Sequence, residues 1–192
     1  ICFGSKIDLI KTDFTVFHHL GFINLDKNGV ISRCVNCQLL MNIMSPSRER
    51  RLRNIFKSIN YAQGQITDQT YFVKNFEKRV TRSFLQVEIL RKYLKNNEKM
   101  EVLDIGCFKG ELLLELSNCL PKAKCHGFDI NAHFKNSFPS KKKFRLWLSE
   151  LDDVQGEFDL ICMSCSMGYI KNINGLFKNI RRLIKPKGLL FI

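Results

Sequence analysis

From about residue 99 onward, short apolar runs alternate with amphipathic stretches. Continuous or alternating apolar character predicts strands at Glu101–Ile105, Lys124–Phe128, Lys143–Trp147, Phe158–Met163 and Gly188–Ile192. Between them, apolar positions recurring every three or four residues predict helices at Gly110–Cys119, Ala132–Asn136 and Ile173–Ile184. Strand–helix alternation with short links predicts a Rossmann-like α/β domain: a parallel sheet with right-handed crossovers. Such sheets bind ligands beyond the carboxyl ends of their strands.

The first half of the chain has a different texture. Residues 1–44 predict a small β module, with β-prone pieces at Phe14–Phe17 and Gly29–Ser32 between turns such as Leu25-Asp-Lys-Asn-Gly29. Ser45-Pro-Ser47 then introduces a helix, with Ser47 as N-cap and Arg50–Ile59 as body, ended by the polar break Tyr61-Ala-Gln-Gly-Gln65. Phe72, Phe76, Val80, Phe84, Val87 and Leu90 then recur at helical spacing. They predict one long helix from Gln69 to about Asn96, packed on the following domain. The expected organisation is therefore residues 1–44, a helical linker over 45–98, and the α/β domain over 99–192.

The chemistry concentrates in that third segment. Glu101-Val-Leu-Asp-Ile-Gly-Cys-Phe-Lys-Gly110 runs an apolar strand into a glycine turn that opens a helix. His126-Gly-Phe-Asp-Ile130 ends the next strand on an acid. Glycines let backbone approach a ligand, and an acid in that place accepts hydrogen bonds from ribose hydroxyls. The turn lacks the middle glycine of G-x-G-x-x-G, because Phe108 stands there. Dinucleotide sites need that glycine for a pyrophosphate; a nucleoside without phosphates does not.

Together with Phe158-Asp-Leu-Ile161 and Leu183-Ile-Lys-Pro-Lys-Gly-Leu-Leu-Phe-Ile192, these pieces resemble the class I S-adenosylmethionine-dependent methyltransferases over residues 99–192. The resemblance implies that Asp104, Gly106 and Gly110 hold the amino-acid end of S-adenosylmethionine. It implies that Asp129 binds the ribose, with Ile130 against the adenine, and that Ser149 and Glu150 are weaker candidates for the adenine edge. A general base would lie after the fourth strand, where many relatives carry an H-V-L-E-H-like run. This chain reads Cys165-Ser-Met-Gly-Tyr169 instead, which leaves Tyr169 as the local candidate. The acceptor class implied is a small molecule such as a sugar or other metabolite.

Eight cysteines with no secretory pattern suggest a reducing, cytoplasmic setting, where thiols bind metal or line cores more often than they pair. Cys34-Val-Asn-Cys37 can grip one face of a zinc ion, but a closed structural site needs four ligands. Some methyltransferases of the class resembled carry an N-terminal zinc-binding domain, and Ile1-Cys2-Phe-Gly-Ser5 reads as half of a second knuckle. The expected ligands are Cys2, Cys34 and Cys37 of a zinc ribbon, with the fourth supplied by a cysteine before Ile1 or by His18 or His19. Cys162-Met-Ser-Cys165 has the same spacing but falls in the α/β domain, and it reads with Cys107, Cys119 and Cys125 as core or pocket thiols.

The net charge of +13 is spread along the chain, with short clusters at Arg48–Arg53, Lys141–Lys143 and Arg181-Arg182. It keeps open a nucleic-acid-binding zinc module as an alternative, although basic and aromatic residues are not interleaved in residues 1–44. A nicotinamide-dependent oxidoreductase or epimerase is the other alternative, disfavoured by Phe108 in the turn. No apolar run reaches the roughly 20 residues of a membrane helix. The chain starts on Ile1 and stops in an apolar run, so both ends read as cuts.

Overall fold

The computed structural model describes residues 7–12, 29–34, 40–43, 46–64, 70–73, 78–94, 99–140, 143–164, 166, 170 and 172–192. The chain divides into two compact units, residues 1–65 and 66–192.

In the first unit β1 (Ile7–Thr12), β2 (Gly29–Cys34) and β3 (Leu40–Ile43) form an antiparallel sheet in that order. Cys34 closes β2 opposite Ile7. The expected strand Phe14–Phe17 and the expected ligands Cys2 and Cys37 lie outside the described residues, as do His18 and His19. Helix α1 (Pro46–Phe56) begins at the proline, so Ser47 sits inside the first turn instead of capping it. A proline has no amide hydrogen to lose at a helix start, and its fixed φ suits that position. Helix α2 (Ile59–Gly64) occupies the stretch expected to be a polar break. Ser58 initiates it by accepting the Tyr61 N–H on its hydroxyl.

The second unit corrects the long helix. Thr70–Val73 (β4) and Lys78–Thr81 (β5) pair as an antiparallel hairpin, and among the described residues of that stretch only Arg82–Leu90 (α3) is α-helical. Thr70-Tyr-Phe-Val73 is all β-branched or aromatic, a composition that favours a pleated strand. Thr81 then caps α3, its hydroxyl accepting the Phe84 N–H at 3.1 Å.

Beyond it come β6 (Glu101–Ile105), α4 (Glu111–Cys119), β7 (Lys124–Phe128), β8 (Phe144–Trp147), β9 (Phe158–Cys162), α5 (Ile173–Leu183) and β10 (Ile184–Phe191). Short 3₁₀ turns cover Ala132–Asn136 and Leu151–Asp153. The five strands form one parallel sheet in the order β10-β9-β6-β7-β8. The chain leaves β6 toward β7 and later returns to its other side as β9. The strand order therefore reverses beside β6, where a parallel sheet opens a crevice.

Side chains alternate across the sheet. Val102, Leu160 and Cys162 face a cluster with Val87, Leu90, Leu112, Leu113 and Leu116 of α3 and α4. Leu103, Ile105 and Ile161 face the opposite cluster with Leu176, Ile180 and Leu183 of α5. The result is a three-layer stack with β6 at its centre. Val87 and Leu90, expected to pack on the α/β domain, do so. Strand β10 begins four residues earlier than expected, at Ile184. It absorbs Pro186 through a break in register between Ile184 and Leu189, with Lys187 at φ 68°.

The amino-terminal rim of the sheet is tied by charge. Glu101 accepts from Lys124 Nζ at 2.9 Å and lies 2.7 Å from His126 Nε2. Asp159 accepts the Glu101 N–H and the Lys185 ammonium, both at 2.8 Å. Burial pulls His126 below its ordinary range despite the Glu101 carboxylate beside it.

Candidate functional site

The crevice is built by the turn after β6 and the strand end after β7. The N–H groups of Gly106 and Cys107 both donate to the Phe128 carbonyl, at 2.8 and 3.0 Å, which ties the turn to β7. Three of its residues are left-handed: Gly106 at φ 76°, Phe108 at 55° and Gly110 at 83°. Glycine takes that conformation without penalty. Gly110 opens α4 as its N-cap. A Cβ on Gly106 would lie 2.6 Å from Ser166 Cβ, and one on Gly110 would lie 2.9 Å from Phe138 and Pro139. Both glycines therefore serve the hand of the turn and the close approach of the protein's own side chains.

Asp104 and Asp129 both reach this crevice. Asp129 follows β7, and its carboxylate is clasped by backbone: Oδ2 accepts the Phe108 N–H at 3.0 Å and Oδ1 the Asn131 N–H at 2.9 Å. Burial raises its pKa, opposed by the backbone N–H groups of Asn131, Phe108 and Ile130. Asp104 is only 4% exposed. Its pKa is raised to about 7, first by burial and then by the negative charges of Asp129 and Glu111, with Arg82 opposing. The negative charges of Asp129 and Glu111 thus act on the buried Asp104 carboxyl.

The Asp104 shift has a thermodynamic consequence. Between roughly pH 4 and 7 the folded chain keeps a proton that the unfolded chain has released. Asp104 therefore favours folding at the acid end of this window, and that advantage is lost as the pH rises to about 7. Asp104→Asn, a neutral stand-in for the protonated acid, is expected to gain stability over the parent progressively from pH 5 to pH 8. Urea midpoints at those two pH values check it; an equal difference at both would refute the assignment.

The other expected residues are placed as follows. Ile130 is half-buried against the α5 face of the sheet. Ser149 and Glu150 are exposed beyond β8. Glu150 caps the Leu151–Asp153 turn, its N–H donating to Asp153 Oδ2 at 3.2 Å. Tyr169 and Cys165 lie outside the described residues. Cys107, Cys125 and Cys162 are buried as expected, and Cys119 is half-buried. Burial holds the thiols of Cys107 and Cys162 well above their ordinary range and pushes Cys125 up to about 11. These are core thiols, not nucleophiles. Among the described residues, no group of three His, Cys, Asp or Glu side chains could hold a metal ion. Nor is any helix among them long and apolar enough to cross a membrane.

Four contributors were missed by the sequence reading. Arg82 and Gln86 stand one helical turn apart on α3. Arg82 sets its charge against Asp104, and Gln86 donates to the Ser164 hydroxyl just past β9. Their i, i+4 spacing was the available signal, hidden because that helix was read only for its apolar stripe. Ser166 donates to the Ile105 carbonyl at 2.8 Å and fills the space over Gly106. Glu111, in the first turn of α4, adds its charge to the acidic group.

The family described as "Methyltransferase domain" matches residues 76–192. Over 101 residues the chain is 26% identical to malonyl-[acyl-carrier protein] O-methyltransferase 2 of Ilyobacter polytropus, covering 50% of this chain and 39% of that protein. Its fold is similar to that of coclaurine N-methyltransferase, solved with N-methylheliamine and SAH, at 16% identity and a TM-score of 0.55. That alignment covers 73% of this chain and 43% of the other. The O-methyltransferase segment of StiE is similar at 23% identity and a TM-score of 0.51, covering 55% of this chain and 41% of that one. The chain thus spans about two fifths of the length of these relatives.

Proposed function

Because the chain belongs to the methyltransferase-domain family, we propose that it transfers a methyl group from S-adenosylmethionine to a small-molecule acceptor, with a sugar or other metabolite as the expected class. The observation that carries this reading is the Asp129 carboxylate. It stands at the end of β7, oriented by two backbone N–H groups, across from the left-handed turn that opens α4.

The chemistry of the donor set supports the reading. A carboxylate accepts from a vicinal diol, and the reading gives that role to Asp129, which follows β7 with its two oxygens held by the Phe108 and Asn131 N–H groups. The acidic group of Asp104, Glu111 and Asp129 suits an ammonium and a sulfonium. In this reading Asp104 and the turn Gly106–Gly110 hold the amino-acid end, and Ile130 lies against the adenine. Ser149 and Glu150 remain secondary candidates for the adenine edge, and Tyr169 for a base that takes the acceptor's proton. When bound, the cofactor supplies an electrophilic methyl group on a good leaving group. What the protein adds is alignment of the acceptor with that methyl and exclusion of water. Arg82 and Gln86 support this by tying α3 to the crevice.

Titration calorimetry of the chain with S-adenosylhomocysteine tests the proposal. A one-to-one complex is expected; no heat of binding from a chain that is folded by circular dichroism would refute it.

A zinc ion held by Cys2, Cys34 and Cys37 belongs to the same proposal as a structural accompaniment. It is supported by the pairing of Cys34 with Ile7, five residues after Cys2 in the sequence. Elemental analysis of the purified chain should find about one zinc per molecule, lost in Cys34→Ser; a metal-free parent would overturn it.

A further inference from the structure

Phe108 occupies a place where its side chain is costly. Bulky residues rarely adopt a left-handed backbone, and such outliers persist where the surroundings hold them. Here the surroundings form a closed circuit. The Phe108 N–H donates to Asp129 Oδ2, and Asp129 Oδ1 accepts the Asn131 N–H. Asn131, fully buried, caps the Ala132–Asn136 turn by accepting the His133 N–H at 3.0 Å. That turn carries Phe134, only 1% exposed, and the Phe134 ring meets the Phe108 ring edge-on with centroids 4.5 Å apart. The circuit joins the loop after β6 to the loop after β7, and the Asp129 carboxylate sits inside it.

A glycine at position 108 would suit the turn better, and it would leave the N–H in place. What it would lose is the ring that fixes where that N–H points. We propose that Phe108, anchored by Phe134, is a positioning residue that orients the Asp129 carboxylate toward the two hydroxyls of a ribose, so that the site selects ribonucleosides over 2′-deoxynucleosides. The inference rests on the cofactor reading above and extends it from binding to sugar selectivity. Asp129 accepts one backbone N–H on each of its two oxygens, and each oxygen keeps a further acceptor site for one hydroxyl of a diol. Loosening either anchor lets the carboxylate rotate and costs the bidentate grip before it costs the single hydrogen bond.

The test measures affinities for S-adenosylhomocysteine and its 2′-deoxy analogue by calorimetry, in the parent, Phe108→Gly, Phe134→Ala and Phe108→Tyr. The parent should prefer the ribose form by about tenfold or more, the worth of one charge-assisted hydrogen bond. Phe108→Gly and Phe134→Ala should bring the preference to about threefold or less, and Phe108→Tyr, which keeps the edge contact, should retain it. Phe108→Gly relieves the backbone and so keeps the test open if Phe134→Ala does not fold. A merely structural role would weaken both ligands equally and leave the ratio alone. An unchanged ratio in Phe108→Gly, with S-adenosylhomocysteine still bound, overturns the clasp and spares the cofactor reading. A parent that binds neither compound ends both.

Discussion

Asp129→Ala should weaken S-adenosylhomocysteine binding by on the order of a hundredfold while the chain still folds. Hydrogen bonds to a charged group contribute roughly 1.5–3 kcal/mol each, and a ribose offers two. Losing about 3 kcal/mol of them is a factor of more than 100 in the dissociation constant. The substitution also deprives the Phe108 and Asn131 N–H groups of their acceptor, so part of the loss comes from a loosened turn. Asp129→Asn separates the two contributions. It keeps the shape and one acceptor oxygen, and should fall between parent and alanine variant, near tenfold. Calorimetry gives the affinities and circular dichroism confirms the fold. A loss below threefold in a folded Asp129→Ala would remove the ribose assignment.

The largest effect on stability is expected at a glycine inside the sheet. Gly127 lies in β7, flanked by β6 and β8, and is buried. A Cβ there would meet Cys107 Sγ at 2.5 Å and the Phe138 ring at 2.7 Å. Neither neighbour can retreat freely: both are buried, and Cys107 is pinned by its N–H to the Phe128 carbonyl. Overpacking of this kind costs typically 1–3 kcal/mol, and an interior strand sits at the upper end. We expect Gly127→Ala to lose about 3 kcal/mol, a large share of the 5–15 kcal/mol a domain commonly has. Adding Cys107→Ala removes the nearer clash and should restore about 1 kcal/mol of it, read from urea midpoints. A Gly127→Ala variant with the parent's midpoint would show that the strand yields more easily than its packing implies.

The sheet was legible because its strands are bounded by chemistry as well as by hydrophobicity. Glycines at 106 and 110 end β6 and start α4, and Asp129 marks where β7 stops. The hairpin before α3 was not legible. Phe72, Phe76, Val80 and Phe84 satisfy a helical period, yet aromatic and β-branched residues in that number also make strands, and only pairing decides between them. The need for Gly127 is equally silent in the sequence, since it arises from Cys107 and Phe138, 20 and 11 residues away. The motif singles out Asp104 and Asp129 as candidates. Arg82, Gln86 and Ser166 come near them only through tertiary packing, and no local pattern marks them as partners.

The carboxylates, lysines and histidine that lace β6, β7 and β9 near their amino-terminal ends bolt the sheet together at that edge. Those ion pairs stand at one end of the strands, and the candidate cofactor residues at the other. Substitutions past the opposite strand tips therefore leave untouched the bonds that keep the strands in step.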